Sequence, residues 1–154
     1  MRARVRAVLG SASRGNFSAV KFKIPSDLSA VREVQSRILD DVKRHGYGAE
    51  STFAIKLALE EVLINAIKHG NKFDTSKHVH VESNVTPEAA EIIIEDEGPG
   101  FERVEVPDPT LVENLTKCSG RGILLIEAYM TSVEYSNKGR RVRMIKKNDN
   151  GVKP

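Results

Sequence analysis

The stretch Ala58-Leu59-Glu60-Glu61-Val62-Leu63-Ile64-Asn65-Ala66-Ile67-Lys68-His69-Gly70 constrains the chain more than any other. It reads as the C-terminal half of one long helix, from about Ala49 to His69, with Gly70 as its stop. At about 100° per residue, Lys56 and Glu60 share one side, an ordinary solvated stripe. Glu61, Asn65, Lys68 and His69 share a second. A helix lying on a sheet needs only one polar stripe. The second must face water, a partner or a ligand, because an unpaired buried polar group costs about 1–3 kcal/mol. The helix alone leaves two readings open, a ligand site or a helix held between two wet surfaces.

The rest of the chain supplies a sheet for that helix. Val20-Lys21-Phe22-Lys23-Ile24 alternates apolar and polar, as a half-buried strand does. Pro25 ends it, and Ser26 or Asp27 caps a helix carrying Leu28, Val31, Val34, Ile38, Leu39 and Val42 at helical spacing. Gly46 and Gly48 close that helix near His45. Val79–Glu82 and Ile92–Ile94 read as paired antiparallel strands joined by a turn near Thr86-Pro87. Residues 101–118, rich in Pro, Asp and Glu, show little period and read as a long loop, functional or disordered. Gly120-Arg121-Gly122 opens a helix over Ile123–Tyr129. Strands Thr131–Ser136 and Arg140–Lys146 follow, turned at Asn137-Lys138-Gly139. The expected class is α+β: a two-layer sandwich with a mixed, mainly antiparallel sheet covered on one face by helices.

Composition bounds the setting. The 154 residues suffice for one domain with a core, and 40% apolar with 29% charged residues is ordinary for a globular chain. No apolar run approaches the roughly 20 residues that cross a bilayer, so no membrane association is expected. The single Cys118 excludes an internal disulfide and fits a reducing, cytoplasmic compartment. The arginine-bearing start has no sustained apolar segment of the secretory kind. Residues 1–18 hold Arg2, Arg4, Arg6 and Arg14 and no acid, so of the net +3 the remainder carries about −1. The expected organisation is a basic disordered tail over 1–18, one domain over 19–147 and a second tail over 148–154. Nucleic-acid contact through the arginines and the basic last strand is the weakest of the functional readings.

Three stretches carry chemistry together. The first is the second polar stripe, where Asn65 offers a neutral oxygen suited to magnesium. Glu61, one turn away, can take a proton from an attacking hydroxyl. The second is Glu95-Asp96-Glu97-Gly98-Pro99-Gly100. Asp96 at the strand end can accept a hydrogen bond from an exocyclic amine, and glycines without a Cβ let a ligand approach the backbone. The third is Ser119-Gly120-Arg121-Gly122, where free amides at a helix N-terminus suit phosphate. Either glycine stretch taken singly is a turn, and no Walker-type P-loop occurs.

In order and spacing these stretches resemble the N, G1 and G2 boxes of the Bergerat-fold ATPases. The boxes are Glu61-x-x-x-Asn65-Ala66-x-x-His69-Gly70, Asp96-x-Gly98-x-Gly100 and Ser119-Gly120-Arg121-Gly122, and the likeness spans about residues 20–147. Within that group the chain is most similar to the compact, stand-alone anti-sigma-factor serine/threonine kinases. The resemblance implies ATP and Mg²⁺ as ligands, with Asn65 on the metal, Glu61 as general base and Asp96 on the adenine amine. Gly98 and Gly100 would shape the base pocket. Gly120, Arg121 and Gly122 would wrap the phosphates, with Lys117 and Ser119 beside them and residues 101–118 as a lid. Lys68 and His69 would meet phosphate or lid, or simply complement the helix dipole.

The resemblance also implies a sigma factor and an anti-anti-sigma protein as partners, and homodimers. Two positions depart from it. Cys118, with Lys117 beside it, stands where these kinases carry arginine, and lysine cannot supply a bidentate fork. Arg140 follows Gly139 where threonine is usual. Both bear on phosphoryl transfer more than on ATP binding. Hence two functions are expected in turn: a regulatory protein kinase, or an ATP-binding switch that sequesters a partner without transfer.

Overall fold

The computed structural model describes residues 6–9, 19–100 and 120–150. The strands are β1 (Arg6–Leu9), β2 (Val20–Pro25), β3 (His78–Val85), β4 (Ala89–Asp96), β5 (Ser132–Ser136) and β6 (Arg141–Lys147). The helices are α1 (Ser29–Arg44), α2 (Ala49–Asn65), continued by a π-helical turn over Ala66–Gly70, and α3 (Gly120–Tyr129). The sheet runs β1-β2-β3-β4-β6-β5. Every pairing in it is antiparallel, so the expected mixed sheet is antiparallel throughout its described ladders.

One sheet face is apolar and the helices cover it. Phe22, Ile24, Val79, Val81, Ile92, Ile94, Val142 and Met144 join the helix residues in one core. The alternation of β2 and β3 decides which face this is: Lys21, Lys23 and His80 fall on the other and are exposed. Ile93 also falls there, yet is only 9% exposed. Its cross-strand neighbours are Glu82 and Arg143, and Arg143 is fixed by Glu91 at 2.6 Å. Long charged side chains thus shield this apolar residue of the outer face.

Helix α1 buries Ala30, Val31, Val34, Ile38 and Val42 along one stripe. Its N-cap residue is Leu28, not Ser26 or Asp27 as expected, although the Ser29 N–H still donates to Asp27 Oδ1 at 2.9 Å. Helix α2 buries a broad arc, Ser51, Ala54, Ile55, Ala58, Leu59, Val62 and Leu63. The arc is broad because α2 touches α1 on one flank, α3 on the other and β6 beneath. Phe53 of α2 meets Tyr129 of α3 edge to face, ring centres 5.9 Å apart.

Two expectations fail at the ends. The tail expected over 1–18 contains β1, whose four residues pair with β2 from Arg6↔Lys23 to Leu9↔Val20. The tail expected from 148 begins as a clasp on the start of α2. Asn148 Oδ1 accepts the Gly48 N–H at 3.4 Å, and Ser51 Oγ donates to the Lys147 carbonyl at 3.1 Å. Asp149 N–H donates to Ser51 Oγ at 2.8 Å, and the Asp149 carboxylate shares the single Ser51 hydroxyl proton with the Lys147 carbonyl. A carboxylate at a helix N-terminus meets the positive end of the helix dipole.

Candidate functional site

The site is built where α2 ends over the ends of β4 and β6. Regular α-helix stops at Asn65, and the backbone widens into the π turn. Asn71 N–H reaches back to the Ala66 carbonyl at 2.8 Å, and Phe73 N–H to Ile67 at 2.9 Å. Such π turns recur at functional sites. The turn also splits the expected stripe. Glu61 and Asn65 are half-buried, whereas Lys68 and His69 are exposed. Partial desolvation, then the Lys68 charge, lowers the His69 pKa below its ordinary 6.5.

Gly70 does not end the helix by turning left-handed; the positive-φ residues here are Lys72 at 51° and Phe73 at 58°. Its glycine identity has a different cause. A Cβ on Gly70 would run into the Asp96 carboxylate, and a Cβ on Gly98 into the Gly70 carbonyl. The end of the helix, the Asp96 side chain and the loop after β4 therefore interlock with no room to spare. The Gly70 carbonyl, not a ligand, occupies the place a Cβ on Gly98 would take.

Asp96 is half-buried at the end of β4. Its Oδ1 accepts the Gly98 N–H at 2.8 Å, the one hydrogen bond to this carboxylate among the described residues. Burial pushes its pKa up from 3.8. The Gly98 N–H and the Arg140 charge pull it back, and Glu95 pushes it up again. A desolvated carboxylate with acceptor capacity to spare is suited to an incoming N–H. The donor set for a cation fits too. Among the described residues neither Glu61 nor Asn65 spends its side chain on a protein hydrogen bond, so a carboxylate and a neutral oxygen stay available one helical turn apart.

One residue missed by sequence reasoning holds this corner together. Asn71 is 1% exposed. Its Nδ2 donates to Ser26 Oγ and to the His78 carbonyl, both at 3.0 Å. Its Oδ1 accepts the Glu97 N–H at 2.8 Å. Ser26, expected as a helix cap, instead donates to the Lys77 carbonyl at 2.7 Å. Beyond it, Glu97 accepts the His78 N–H at 2.8 Å and lies 2.8 Å from His80 Nε2. The only hint in sequence was an asparagine directly after a glycine at a helix end.

The third box is described in part. The helix begins at Gly120, so Gly120, Arg121 and Gly122 form the first turn of α3. Lys117, Ser119, Cys118 and the expected lid over 101–118 lie outside the described residues. A depression of about 480 Å³ opens on the flank instead, against Lys72, Lys77 and Glu97, sharing Gly70 and Gly98 with the Asp96 corner.

A helix bearing an acid and an amide, ending over a strand-terminal aspartate in a one-sided antiparallel sandwich, defines an ATP-binding class. Residues 24–146 match the histidine kinase-like ATPase domain, and the chain belongs to that family. Among curated relatives, an anti-sigma F factor of Clostridium perfringens (strain SM101) is 38% identical over 98 residues, 60% of this chain and 70% of that protein. A serine-protein kinase RsbW of Oceanobacillus iheyensis is 26% identical over 130 residues, covering 80% and 82%. The RsbW of Bacillus subtilis is 27% identical over 142 residues, covering 86% and 88%.

Proposed function

We propose that the chain binds Mg-ATP and acts as an anti-sigma-factor-type serine/threonine protein kinase on a small anti-anti-sigma partner. The observation that carries the reading is Asp96, a half-buried carboxylate with one hydrogen bond among the described residues, packed against Gly70 at the end of the helix that bears Glu61 and Asn65. Relatives named as anti-sigma factor and serine-protein kinase support it. Asp96 accepts from the adenine amine, and Asn65 contributes an oxygen to Mg²⁺. The metal, when bound, offsets phosphate charge. Glu61 takes the proton from the partner's hydroxyl as that oxygen bonds to the γ-phosphorus and ADP leaves. The first turn of α3, with Gly120, Arg121 and Gly122, and the adjoining Lys117 and Ser119 take the phosphates. A cytoplasmic setting, a sigma factor as second partner and a homodimer belong to the same proposal. Among the described residues no helix is long and apolar enough to cross a membrane.

The test is radiolabelled phosphoryl transfer from ATP to an anti-anti-sigma protein, wild type against Glu61→Ala. Transfer that survives the substitution removes Glu61 from its role. A second reading, ATP as a switch without transfer, is favoured by one observation: Arg140, not threonine, flanks Asp96. Under that reading Mg-ATP raises the melting temperature and returns intact, with no ADP formed.

A further inference from the structure

Arg140 follows the hairpin turn into β6 and lies directly across from Asp96. The Asp96 N–H donates to the Arg140 carbonyl at 3.1 Å, one step beyond the last ladder pair, Glu95↔Arg141. Alternation then puts the Arg140 and Asp96 side chains on the same sheet face, the one the helices cover. The guanidinium is tethered at two points. Nε donates to the Asn137 carbonyl at 3.1 Å, and Nη1 donates to the Gly98 carbonyl at 3.3 Å. Gly98 is also the residue whose N–H holds Asp96 Oδ1. Gly100, at φ +74°, sits against the Lys138 backbone and Arg140 Cγ. One peptide segment therefore binds the carboxylate through its N–H and the guanidinium through its carbonyl.

We propose that Arg140 is a positioning residue for base recognition: it fixes the Gly98 backbone and keeps Asp96 an acceptor, so the corner selects an amine-bearing base over a carbonyl-bearing one. The inference rests on the reading of Asp96 as the base anchor. The physics is that of a charge beside a half-desolvated acid. Among the described residues, the charged groups around Asp96 are Arg140 from the turn before β6 and Glu95 from β4. Gly70 of the π turn, and Val79, its partner on β3, bring no charge. Burial and Glu95 favour the protonated acid, which gains an O–H that can donate to a carbonyl and is a weaker acceptor for an amine than the carboxylate. Arg140 opposes both, and its tether on Gly98 preserves the second hold on the carboxylate. Threonine could donate a hydrogen bond here but could supply no charge.

The experiment measures binding of ATP and of inosine triphosphate, which has a carbonyl in place of the amine, by displacement of a fluorescent nucleotide from pH 5 to 8. The proteins are the whole chain, Arg140→Met and Arg140→Lys. In Arg140→Met we expect ATP affinity to fall about tenfold, as for a lost hydrogen bond to a charged group, with a smaller change for inosine triphosphate. The ATP preference narrows, and acid abolishes ATP binding at a higher pH than in wild type. Arg140→Lys restores the pH midpoint, because charge suffices for that, and recovers the preference only in part. A loss of packing alone would weaken both nucleotides equally and leave the midpoint in place. An Arg140→Met protein with the wild-type preference and midpoint overturns the inference and leaves the anchor reading standing. Equal binding of both nucleotides by wild type overturns the anchor reading and this inference with it.

Discussion

Replacing Asn71 by alanine should be among the most damaging single changes outside the apolar core. The side chain makes three hydrogen bonds, to Ser26, His78 and Glu97, at 2.8–3.0 Å and at 1% exposure. Ser26 keeps its own bond to the Lys77 carbonyl. The His78 carbonyl and the Glu97 N–H would lose their Asn71 partner. At about 1 kcal/mol net for each bond, with the small void added, the expected loss is about 3 kcal/mol. For a chain of this size that is about 10 °C in melting temperature. In urea, with a slope of about 2 kcal/mol/M, the midpoint should drop by about 1.5 M and the slope should not change. Asn71→Asp sharpens the test. A carboxylate still accepts from Glu97 N–H but turns an oxygen toward the His78 carbonyl, so it should not rescue. The same residue ties the loop after Gly70 to the residue after Asp96, so the melting-temperature rise given by Mg-ATP should shrink as well. A loss below about 1 kcal/mol at unchanged slope would refute the reasoning, because water would then be replacing these bonds at little cost.

Three further outcomes are expected. Ser83, 2% exposed, has a hydroxyl without a partner among the described residues, so Ser83→Ala should be neutral or stabilising by up to about 1 kcal/mol in chemical denaturation; a clear destabilisation would mean the hydroxyl is bonded. Gly70→Ala must displace the Asp96 carboxylate and should cost about 1–3 kcal/mol together with ATP binding, read by calorimetry; retained nucleotide affinity would detach Asp96 from the site. Tyr47 donates to the Thr86 carbonyl at 2.6 Å, and burial, with Glu88 nearby, pushes its phenol from 10.0 up to about 12. An acid with a raised folded pKa stabilises the fold below the unfolded pKa, so stability should fall as pH rises from 10 to 12. Absorbance at tyrosinate wavelengths should show an ionisation phase near pH 12 that Tyr47→Phe removes.

Periodic burial made most of the layer structure legible. The α1 stripe, the long α2 and the alternation of β2 and β3 are local patterns that packing against one sheet face imposes, and they read out directly. Strand lengths were less visible. β3 runs to Val85 and β4 from Ala89 because ladder pairing extends them past the apolar residues that mark them. β1 was hidden because the arginines around it dominate the composition, while its partner is β2, over ten residues later. The clasp of Asn148 and Asp149 on α2 joins positions about a hundred residues apart, and no local pattern can announce it. Within the site, Asp96 and the glycines were found as a motif, but the reason for Gly98 was not, since the group that crowds it is the Gly70 carbonyl from another element. Asn71 escaped because its partners come from β2's end, β3 and the loop after β4.

That distribution of the visible and the hidden bears on specificity. Gly70, Gly98 and Asp96 fill one another's space, so the carboxylate's place is fixed by backbone packing before any ligand arrives. A group held that firmly can be tuned in protonation but hardly in position. Position is therefore common property of any chain with these three residues in this fold, whereas protonation depends on whichever side chain stands across β6. In this chain that side chain is a charged arginine with both tethers on backbone carbonyls, Asn137 and Gly98. Neither tether uses the carboxylate, so the arginine can act on Asp96 through charge without occupying the acceptor that a base would need. A direct ion pair would have consumed that acceptor, and the corner would then be a structural salt bridge rather than a place for a base to bind.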